Sequence, residues 1–304
     1  MARKQCSYRP GRRRPGATGG QPGGKAPAHR AARFATLSAS AVAVTALAVT
    51  GCSAAATSGA RAAATPTAPA KAAATTVTGS AAAPAHPAAP AYTPPARDLA
   101  PGMSGADVKA LQERLSSLKY YPGAIDGQFG QDTEAALWAF QEINGVKVTG
   151  VVDAATKKAL VHPRTYKSPS YPGKHATRVE VSQALEVLVL FDNNKIELIS
   201  HVSSGGGYYY DCGADGCAQA VTPNGTYYTT VFMPGWVTVP LGEMYNPVFF
   251  ISTTYAIHGD TYVPAGPASH GCVRVPMDVA GFFYKMVKTP GTQVHVYGTP
   301  QWES

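Results

Sequence analysis

The composition of the chain changes sharply near residue 98, and this change limits which part of it can fold. Residues 52–97 consist mainly of Ala, Thr and Pro, with Tyr92 as their one aromatic residue. Such a segment cannot bury enough apolar surface to offset the conformational entropy lost on folding. We therefore expect a disordered linker at 52–97 and the folded part of the protein in residues 98–304.

The positive charge of the chain is concentrated at its N-terminus. The formal net charge is +8, but residues 1–33 hold nine Lys/Arg and no acidic residue, whereas residues 98–304 hold 14 Lys/Arg against 18 Asp/Glu. The basic character therefore belongs to the N-terminal segment. It does not indicate a nucleic-acid partner for the folded part.

An uncharged run, FATLSASAVAVTALAV, follows the basic segment at residues 34–49. It is short for a membrane-spanning helix, which needs about 20 apolar residues, and it fits the hydrophobic region of an export signal. The sequence VTGC at 49–52 resembles a bacterial lipobox, which predicts lipidation of Cys52. Two alternatives stay open: Cys52 is incidental and cleavage occurs elsewhere, or the segment is retained as an anchor. We predict a lipoprotein-type export signal at 1–51 and an oxidising working compartment.

Residues 98–162 have the pattern of a small helical bundle. Val108, Leu111 and Leu115 recur at helical spacing and predict a first helix. Asp132 and Asp153 each precede a further helical segment, so both are predicted N-caps. Glycines and a proline between the first two helices are typical of tight turns. The segment is therefore predicted to fold into three short helices.

The pattern changes to strands after a second predicted linker at residues 163–175. Residues 178–205 place β-branched residues and Leu on both sides of a DNNK turn, which predicts a hairpin. Residues 275–288 look helical, with Pro276 in the first turn. Strand-like segments also occur at 222–232, 247–253, 255–259 and 292–298.

The predicted fold class is multi-domain α+β. The small all-α bundle at 98–162 precedes a mostly-β domain at 176–299 that has one prominent helix, and residues 300–304 form a tail.

Three cysteines remain after the export signal and Cys52 are set aside. The simplest arrangement pairs Cys212 with Cys217 across the loop DCGADGC and leaves Cys272 free. A reduced pair or a metal clip is the alternative. The segment 206–221 around this loop is expected to border a functional site.

Cys272 lies in the sequence SHGCVR, with His270 two residues before it and His258 fourteen residues before it. A free thiol in an oxidising compartment is a liability unless the protein uses it, and a nearby imidazole can lower its pKa and act as a base. These residues therefore predict a cysteine nucleophile. A zinc site built from the same three side chains is the alternative, but no CxxC-like spacing supports it, so we expect no metal and no cofactor.

Resemblances to two known domain families extend the functional interpretation. The sequence LQERLSSLKYYPGAIDGQFGQDTEAALWAFQ resembles a peptidoglycan-binding domain of the three-helix kind, although a spacer that no longer binds glycan is an alternative. The segments VSSG, TPNGTY, LGEMYNPVFF, AIHG and SHGCVRV resemble the L,D-transpeptidase (YkuD-type) catalytic domain. The insertion at 206–221 departs from the usual course of that family.

The second resemblance implies a mechanism and a set of site residues. Enzymes of this family transfer an acyl group from one peptidoglycan stem peptide to another through a cysteine thioester. The implied catalytic residues are Cys272 as nucleophile, His258 as general base steered by the Gly259 carbonyl, Gly271 as a backbone donor to the oxyanion, His270 to shape that hole or polarise the thiol, and Ser269 to orient a histidine. The implied substrate-binding residues are Arg274, Tyr245 and Ser204; a structural ion pair is the alternative role for Arg274.

The same resemblance implies the partners and the location of the protein. Its partners would be peptidoglycan stems and glycan, with carbapenem β-lactams as covalent inhibitors and the membrane reached through a lipid on Cys52. The protein would then work in the extracytoplasmic cell envelope, either anchored or secreted and wall-associated. Hydrolysis of the thioester, giving an L,D-carboxypeptidase, is one alternative, and a non-catalytic wall-binding lipoprotein is another.

Overall fold

A computed structural model of the chain describes residues 92–211 and 217–304. The predicted export signal, most of the predicted linker 52–97 and Cys52 lie outside the described residues. Within these residues, no helix is long and apolar enough to cross a membrane. The described part begins with a helical bundle of α1 (Ala106–Ser117), α2 (Gln131–Asn144) and α3 (Ala154–Val161).

The starts of the helices test the two predicted caps. Asp153 caps α3, because its carboxylate accepts a hydrogen bond from the Thr156 N–H at 2.8 Å. The cap predicted at Asp132 is wrong, since α2 begins at Gln131 after Gly130 and Asp132 lies in the first turn. Its half-buried carboxyl is instead hydrogen-bonded to Asp278, and burial together with this second acid raises the pKa of Asp132 to about 6.

The remaining described residues form two sheets and a separate hairpin. One sheet has the strand order β3-β2-β1-β11-β6 and the other has the order β10-β9-β8-β7, while β4 pairs only with β5 among the described strands. The strands are β1 (Arg178–Ser182), β2 (Val187–Asp192), β3 (Lys195–His201), β4 (Tyr209–Asp211), β5 (Cys217–Gln219), β6 (Gly225–Tyr228), β7 (Trp236–Val239), β8 (Gly242–Ile251), β9 (Tyr255–Asp260), β10 (Val273–Pro276) and β11 (Gln293–Tyr297).

Two further elements complete the fold. Helix α4 (Met277–Met286) follows β10 directly, with Pro276 at its N-cap, and a short 3-10 helix covers Gln301–Glu303. The helical and mostly-β regions confirm the predicted fold class. The predicted DNNK turn is also present between β2 and β3, where Asn193 and Asn194 both adopt positive φ angles of 48° and 62°. Asn tolerates this conformation better than most residues, and it suits a tight hairpin.

Strand β2 is buried on both of its faces, and the two faces pack against different layers. Val187, Val189 and Phe191 belong to a core that they share with the helical bundle. Leu188 and Leu190 point the other way, into a core with α4 and the second sheet. The bundle and the first sheet therefore share one apolar core.

The segment 163–175, predicted as a linker, is held against the first sheet along its length. Tyr166 is buried and donates a hydrogen bond to Glu180 at 3.0 Å, and the Ser168 hydroxyl donates to the same carboxylate at 2.5 Å. The His175 N–H donates to the Gln293 side chain at 2.9 Å. The sequence suggested a spacer because Pro and Ser are common here, but the polar side chains find fixed partners on β1 and β11.

Candidate active site

The SHGC loop, residues 269–272, ends immediately before β10, and β10 runs parallel to β9. In this pairing Arg274 lies opposite His258, and Val273 lies opposite Ile257. Cys272, immediately before β10, is therefore placed near Ala256 at the start of β9. Cys272 and His258 line the same cavity, whose volume is about 860 Å³.

His258 is buried, with only 4% of its surface exposed, and its two ring nitrogens have different environments. Its Nδ1 lies 2.9 Å from the Gly259 carbonyl oxygen. Because a carbonyl oxygen can only accept, Nδ1 carries the proton and Nε2 is left as the basic nitrogen. Burial lowers the pKa of His258, so the neutral imidazole that can take up a proton is favoured.

Alternation along β9 explains why this histidine faces the cavity. His258 and Gly259 point to opposite faces of the sheet. On the Gly259 side, an added Cβ would lie 2.8 Å from the Ala280 Cβ of α4. The helix thus packs directly on the strand at the one position where no side chain intervenes, and this contact fixes the strand segment that carries the His258 imidazole and the carbonyl it binds.

The Cys272 thiol is free and half-buried. Burial raises its pKa, and a backbone N–H at Ala256 and the Arg274 charge act against this rise with smaller effect. The expectation that a neighbouring imidazole lowers the pKa of the thiol is therefore wrong for this resting geometry, because the imidazole is neutral and the sulfur is desolvated. Burial therefore shifts both the thiol and the imidazole of this cavity toward their neutral forms.

Ser269 holds the SHGC loop together from within. Its hydroxyl donates to the Cys272 carbonyl at 2.5 Å and accepts from the Gly271 N–H at 2.9 Å. The predicted role, orienting a histidine, is wrong because both hydrogen bonds go to the loop backbone. Since the Gly271 N–H is used in this way, it is not available as the predicted oxyanion donor, and the neighbouring Cys272 N–H is the next candidate.

Gly271 is required by its surroundings as well as by its backbone. Its φ is 138°, and an added Cβ would lie 2.7 Å from the Val221 carbonyl and 2.7 Å from the Tyr255 ring. Its own carbonyl accepts a hydrogen bond from the Thr222 hydroxyl at 2.7 Å. The turn that carries Cys272 is therefore held in place by contacts with two neighbouring segments, one containing Val221 and Thr222 and the other containing Tyr255.

His270 also lines the cavity, but its contacts are aromatic. Its ring packs edge-on against Tyr210 at 4.7 Å and against Tyr208 at 5.5 Å between ring centroids. Burial and the Arg274 charge lower the pKa of His270. The two tyrosines belong to the segment 206–221, so this insertion contributes to the site, and Tyr210 and Asp211 line the cavity beside His270.

Comparison with known proteins follows the same division of the chain. The peptidoglycan binding domain family matches residues 104–160, and the L,D-transpeptidase catalytic domain family matches residues 176–296. A solved L,D-transpeptidase from Xylanimonas cellulosilytica is 33% identical, covers 67% of this chain and 100% of its own, and superposes with a TM-score of 0.60. The chain belongs to the L,D-transpeptidase family.

Curated relatives match a smaller region of this chain. A spore cortex-lytic enzyme from Bacillus cereus is 46% identical over 65 residues, which is 21% of this chain and 25% of that protein. A zinc D-Ala-D-Ala carboxypeptidase from Streptomyces albus G is 43% identical over 63 residues, which is 19% of this chain and 24% of that protein. The matches thus span about a quarter of the length of these curated relatives.

Arg274 is the one of the three predicted substrate-binding residues that reaches the cavity. Its Nε lies 3.1 Å from the Asp260 carboxylate, and both side chains are about a quarter exposed, at 22% and 24%. Its backbone exchanges two hydrogen bonds with Ser203, each at 3.0 Å. The alternative of a structural ion pair is therefore present in the geometry.

Ser204 and Tyr245 do not line the cavity, so their predicted role in substrate binding is wrong. Ser204 is fully buried, and both its N–H and its hydroxyl donate to the Glu186 carboxylate, each at 2.6 Å. Tyr245 packs on the α4 side of β9, opposite the face that carries His258. Sequence reasoning missed Glu186, because a lone acid at the start of a hydrophobic run carries no signal of its partner.

Cavity-lining residues that the sequence did not indicate come mainly from the β7–β8 hairpin. They include Trp236, Val239, Leu241 and Glu243. Trp236 and Leu241 are also about half exposed, at 49% and 45%, which is unusual for large apolar side chains away from an interface. The short WVTV run, rich in β-formers, was the available sequence signal for a strand, but it does not tell which site that strand borders.

The remaining chemical predictions concern disulfides and metals. Cys217 is disulfide-bonded, whereas Cys212, its predicted partner, lies outside the described residues. Among the described residues, no group of three His, Cys, Asp or Glu side chains could hold a metal ion. In this part of the chain Cys272 is the cysteine with a free thiol.

Proposed function

We propose that the protein is a cysteine-dependent L,D-transpeptidase that forms 3→3 cross-links between peptidoglycan stem peptides. The observation that carries the proposal is that one cavity is lined both by the free Cys272 thiol and by the buried His258, whose Nε2 is left unprotonated. A donor stem binds in this cavity with the carbonyl between the L-centre of meso-diaminopimelate and the terminal D-Ala next to the sulfur. The family and the domain composition support this substrate class.

Acylation transfers one proton and breaks one C–N bond. His258 Nε2 takes the thiol proton as the Cys272 sulfur attacks the carbonyl carbon, and the Cys272 N–H stabilises the oxyanion that forms. Collapse of this intermediate breaks the bond to D-Ala, whose amine takes the proton from the imidazolium. D-Ala leaves, and the donor stem stays attached as a thioester.

Deacylation runs the same steps with a different nucleophile. The side-chain amine of a second stem attacks the thioester carbon and gives its proton to His258 Nε2. The C–S bond breaks, and the Cys272 thiolate recovers the proton from the imidazolium. The product is an amide between the two stems, and neither step needs a metal or an organic cofactor.

Muropeptide analysis tests the proposal directly. Wild-type protein, Cys272→Ser and His258→Ala are incubated with tetrapeptide stems, and the products are separated by chromatography and identified by mass spectrometry. We expect 3→3 dimers and free D-Ala with wild type and neither with the variants. Free tripeptides without dimers would show that water resolves the thioester, and an absence of both products with folded wild type would favour the non-catalytic wall-binding alternative.

A carbapenem gives a second readout of the same thioester chemistry. The strained β-lactam carbonyl mimics the donor carbonyl, so the wild-type mass is expected to increase by one inhibitor molecule. Cys272→Ala provides the control, since a mass increase that persists in this variant would mean that the acyl group sits elsewhere.

We further propose that the bundle binds the glycan and that Cys52 carries the lipid anchor, which together place the enzyme in the extracytoplasmic envelope. Binding to the wall polymer would raise the local concentration of stems without adding contacts at the thiol. Sedimentation with insoluble peptidoglycan tests the first part, and radiolabelled fatty acid incorporation into wild type and Cys52→Ala tests the second. We expect the protein to sediment when the peptidoglycan is present and to stay in solution when it is absent. We expect the fatty acid label on wild type and not on Cys52→Ala.

A further inference from the structure

The C-terminal 3-10 helix packs against the base of the β4–β5 hairpin. Trp302 Nε1 donates a hydrogen bond to the Gly205 carbonyl at 2.7 Å. The Trp302 ring lies so close to Gly207 that an added Cβ there would be 2.3 Å from the ring, and Gly207 adopts a φ of 73°. Glycine is therefore the residue that lets the indole seat on this backbone.

The same short helix is fixed to the rest of the protein by its neighbouring residue. Gln301 Nε2 donates to the Glu142 carboxylate of α2 at 3.1 Å and lies 3.3 Å from the Ala184 carbonyl in the β1–β2 connection. Trp302 thus approaches the hairpin from a support that belongs to the bundle and to the first sheet. This support is independent of the SHGC loop.

The backbone under the indole leads directly to the active site. The Gly206 N–H donates to the Ser269 carbonyl at 3.0 Å, and the Gly207 N–H donates to the Ala220 carbonyl at 2.8 Å. The next residues bring Tyr208 and Tyr210 edge-on to the His270 ring. A shift of residues 205–207 would therefore move both a hydrogen bond to the SHGC loop and the aromatic contacts of His270.

We propose that Trp302 is a positioning residue for the active site, acting through Gly205–Gly207 and the tyrosines of the β4–β5 hairpin on Ser269 and His270. The inference rests on the proposed function and adds a role for the tail of the chain, which touches neither substrate nor thiol. Small displacements of catalytic groups from a distance are costly to rate, so the indole is expected to affect the chemical step more than substrate affinity.

The test compares Trp302→Ala, Trp302→Phe and the matched control Glu303→Ala. Glu303 lies in the same 3-10 helix and is exposed. The rate constant for Cys272 acylation by a carbapenem is measured by mass spectrometry as a function of inhibitor concentration, together with thermal unfolding and the NMR signals of the His270 ring. We expect the limiting rate constant to fall about tenfold in Trp302→Ala and a few-fold in Trp302→Phe, with the half-saturating concentration little changed and the His270 signals shifted.

Glu303→Ala should match wild type in all three measurements. A folded Trp302→Ala that is acylated at the wild-type rate, with unshifted His270 signals, would overturn the inference. If Trp302→Ala does not fold, the test uses Trp302→Phe and Gly207→Ala instead. Acylation of Cys272 at the wild-type rate in both variants would overturn the inference. A wild-type protein that is never acylated would instead be a failure of the proposed function, so the two outcomes are distinct.

Discussion

At the residue scale, the Cys272 thiol and the His258 imidazole are both held in their neutral forms. Burial raises the pKa of the thiol and lowers the pKa of the imidazole. A preformed thiolate–imidazolium pair would need the opposite shifts. Under the proposed mechanism, the nucleophile is then generated during attack, and its reactivity depends on His258 being unprotonated.

This electrostatic arrangement predicts the pH dependence of acylation. His258 must be neutral to accept the proton, and its pKa lies below the ordinary value of about 6.5. The Gly259 carbonyl and Asp260 raise this pKa while Arg274 lowers it, and the effect of burial exceeds theirs. The carbapenem acylation rate should rise with pH to a midpoint below about pH 6.5 and be level between pH 7 and 8. A midpoint above pH 7 would contradict the assignment, and His258→Ala should lack this titration.

Glu186 is a second buried group whose protonation matters. Its carboxyl is fully buried and receives two hydrogen bonds from Ser204, yet burial still raises its pKa to about 7, with Glu142 adding to the rise. The Ser204 carbonyl in turn accepts the Ala268 and Ser269 N–H groups, at 3.0 and 2.9 Å. Glu186 therefore supports the strand segment on which the SHGC loop rests.

The raised pKa of Glu186 predicts how stability changes with pH. Between its unfolded value near pH 4.5 and its folded value near pH 7, the native state keeps a proton that the unfolded state has lost, so stability falls as pH rises through this range. Glu186→Gln removes this titration. The free energy of unfolding of the variant minus that of wild type should increase by on the order of 3 kcal/mol between pH 4 and pH 8. Urea titrations at several pH values measure the difference.

A constant offset between the two proteins is expected, because the glutamine amide cannot accept both Ser204 hydrogen bonds. The pH dependence of the difference is therefore the deciding quantity. Parallel stability curves for wild type and Glu186→Gln would show that Glu186 titrates at its ordinary pKa.

At the element scale, the contact of α4 with β9 is the most sharply defined packing feature near the site. Gly259→Ala would place a Cβ 2.8 Å from the Ala280 Cβ and 3.2 Å from the Met277 sulfur. Overpacking of this kind costs about 1–3 kcal/mol, and the strand has to shift next to His258. We expect Gly259→Ala to lower both the free energy of unfolding and the carbapenem acylation rate.

Gly281→Ala provides the matched control on the same helix. An added Cβ at Gly281 has no atom within 4 Å, and replacing a helical glycine by alanine stabilises by about 0.5–1 kcal/mol. This variant should be acylated at the wild-type rate. A Gly259→Ala protein as stable as Gly281→Ala would contradict the close helix–strand contact.

Elements with a local signal could be predicted from the sequence, and elements defined by a distant partner could not. The buried Val108, Leu111 and Leu115 and the DNNK turn follow from spacing and backbone preference alone. The SHGC loop and His258 could be assigned to one site because the family resemblance is specific. The roles of Ser204 and Ser269 could not, since a serine in a loop gives no indication of which backbone or carboxylate it will meet.

At the scale of the whole molecule, the bundle and the first sheet share one core. Phe140 of α2 is fully buried and packs edge-on against Tyr120 at 5.5 Å between ring centroids, in the cluster that also holds Val187 and Ile199. The sequence indicated two domains because its periodicity changes near residue 176. The unbroken apolar run of β2 was the sign that both faces of this strand are covered, although it does not name the covering element.

The shared core predicts that the two regions unfold together. Phe140→Ala should lower the free energy of unfolding by about 3–5 kcal/mol. Loss of helical signal and loss of carbapenem acylation should occur at the same urea concentration in both wild type and variant. Ile125→Ala, at a 43% exposed position of the same region, should change stability little. Two separate transitions, with acylation surviving the first, would show independent domains.

The seating of the bundle on the first sheet also has a geometric consequence. A sugar strand held on α1–α3 would stand at a constant distance and angle from the Cys272 sulfur, because the packed side chains between them leave no hinge. Only those stem peptides that branch from the glycan at a matching distance from the bound site would then reach the Cys272 thiol.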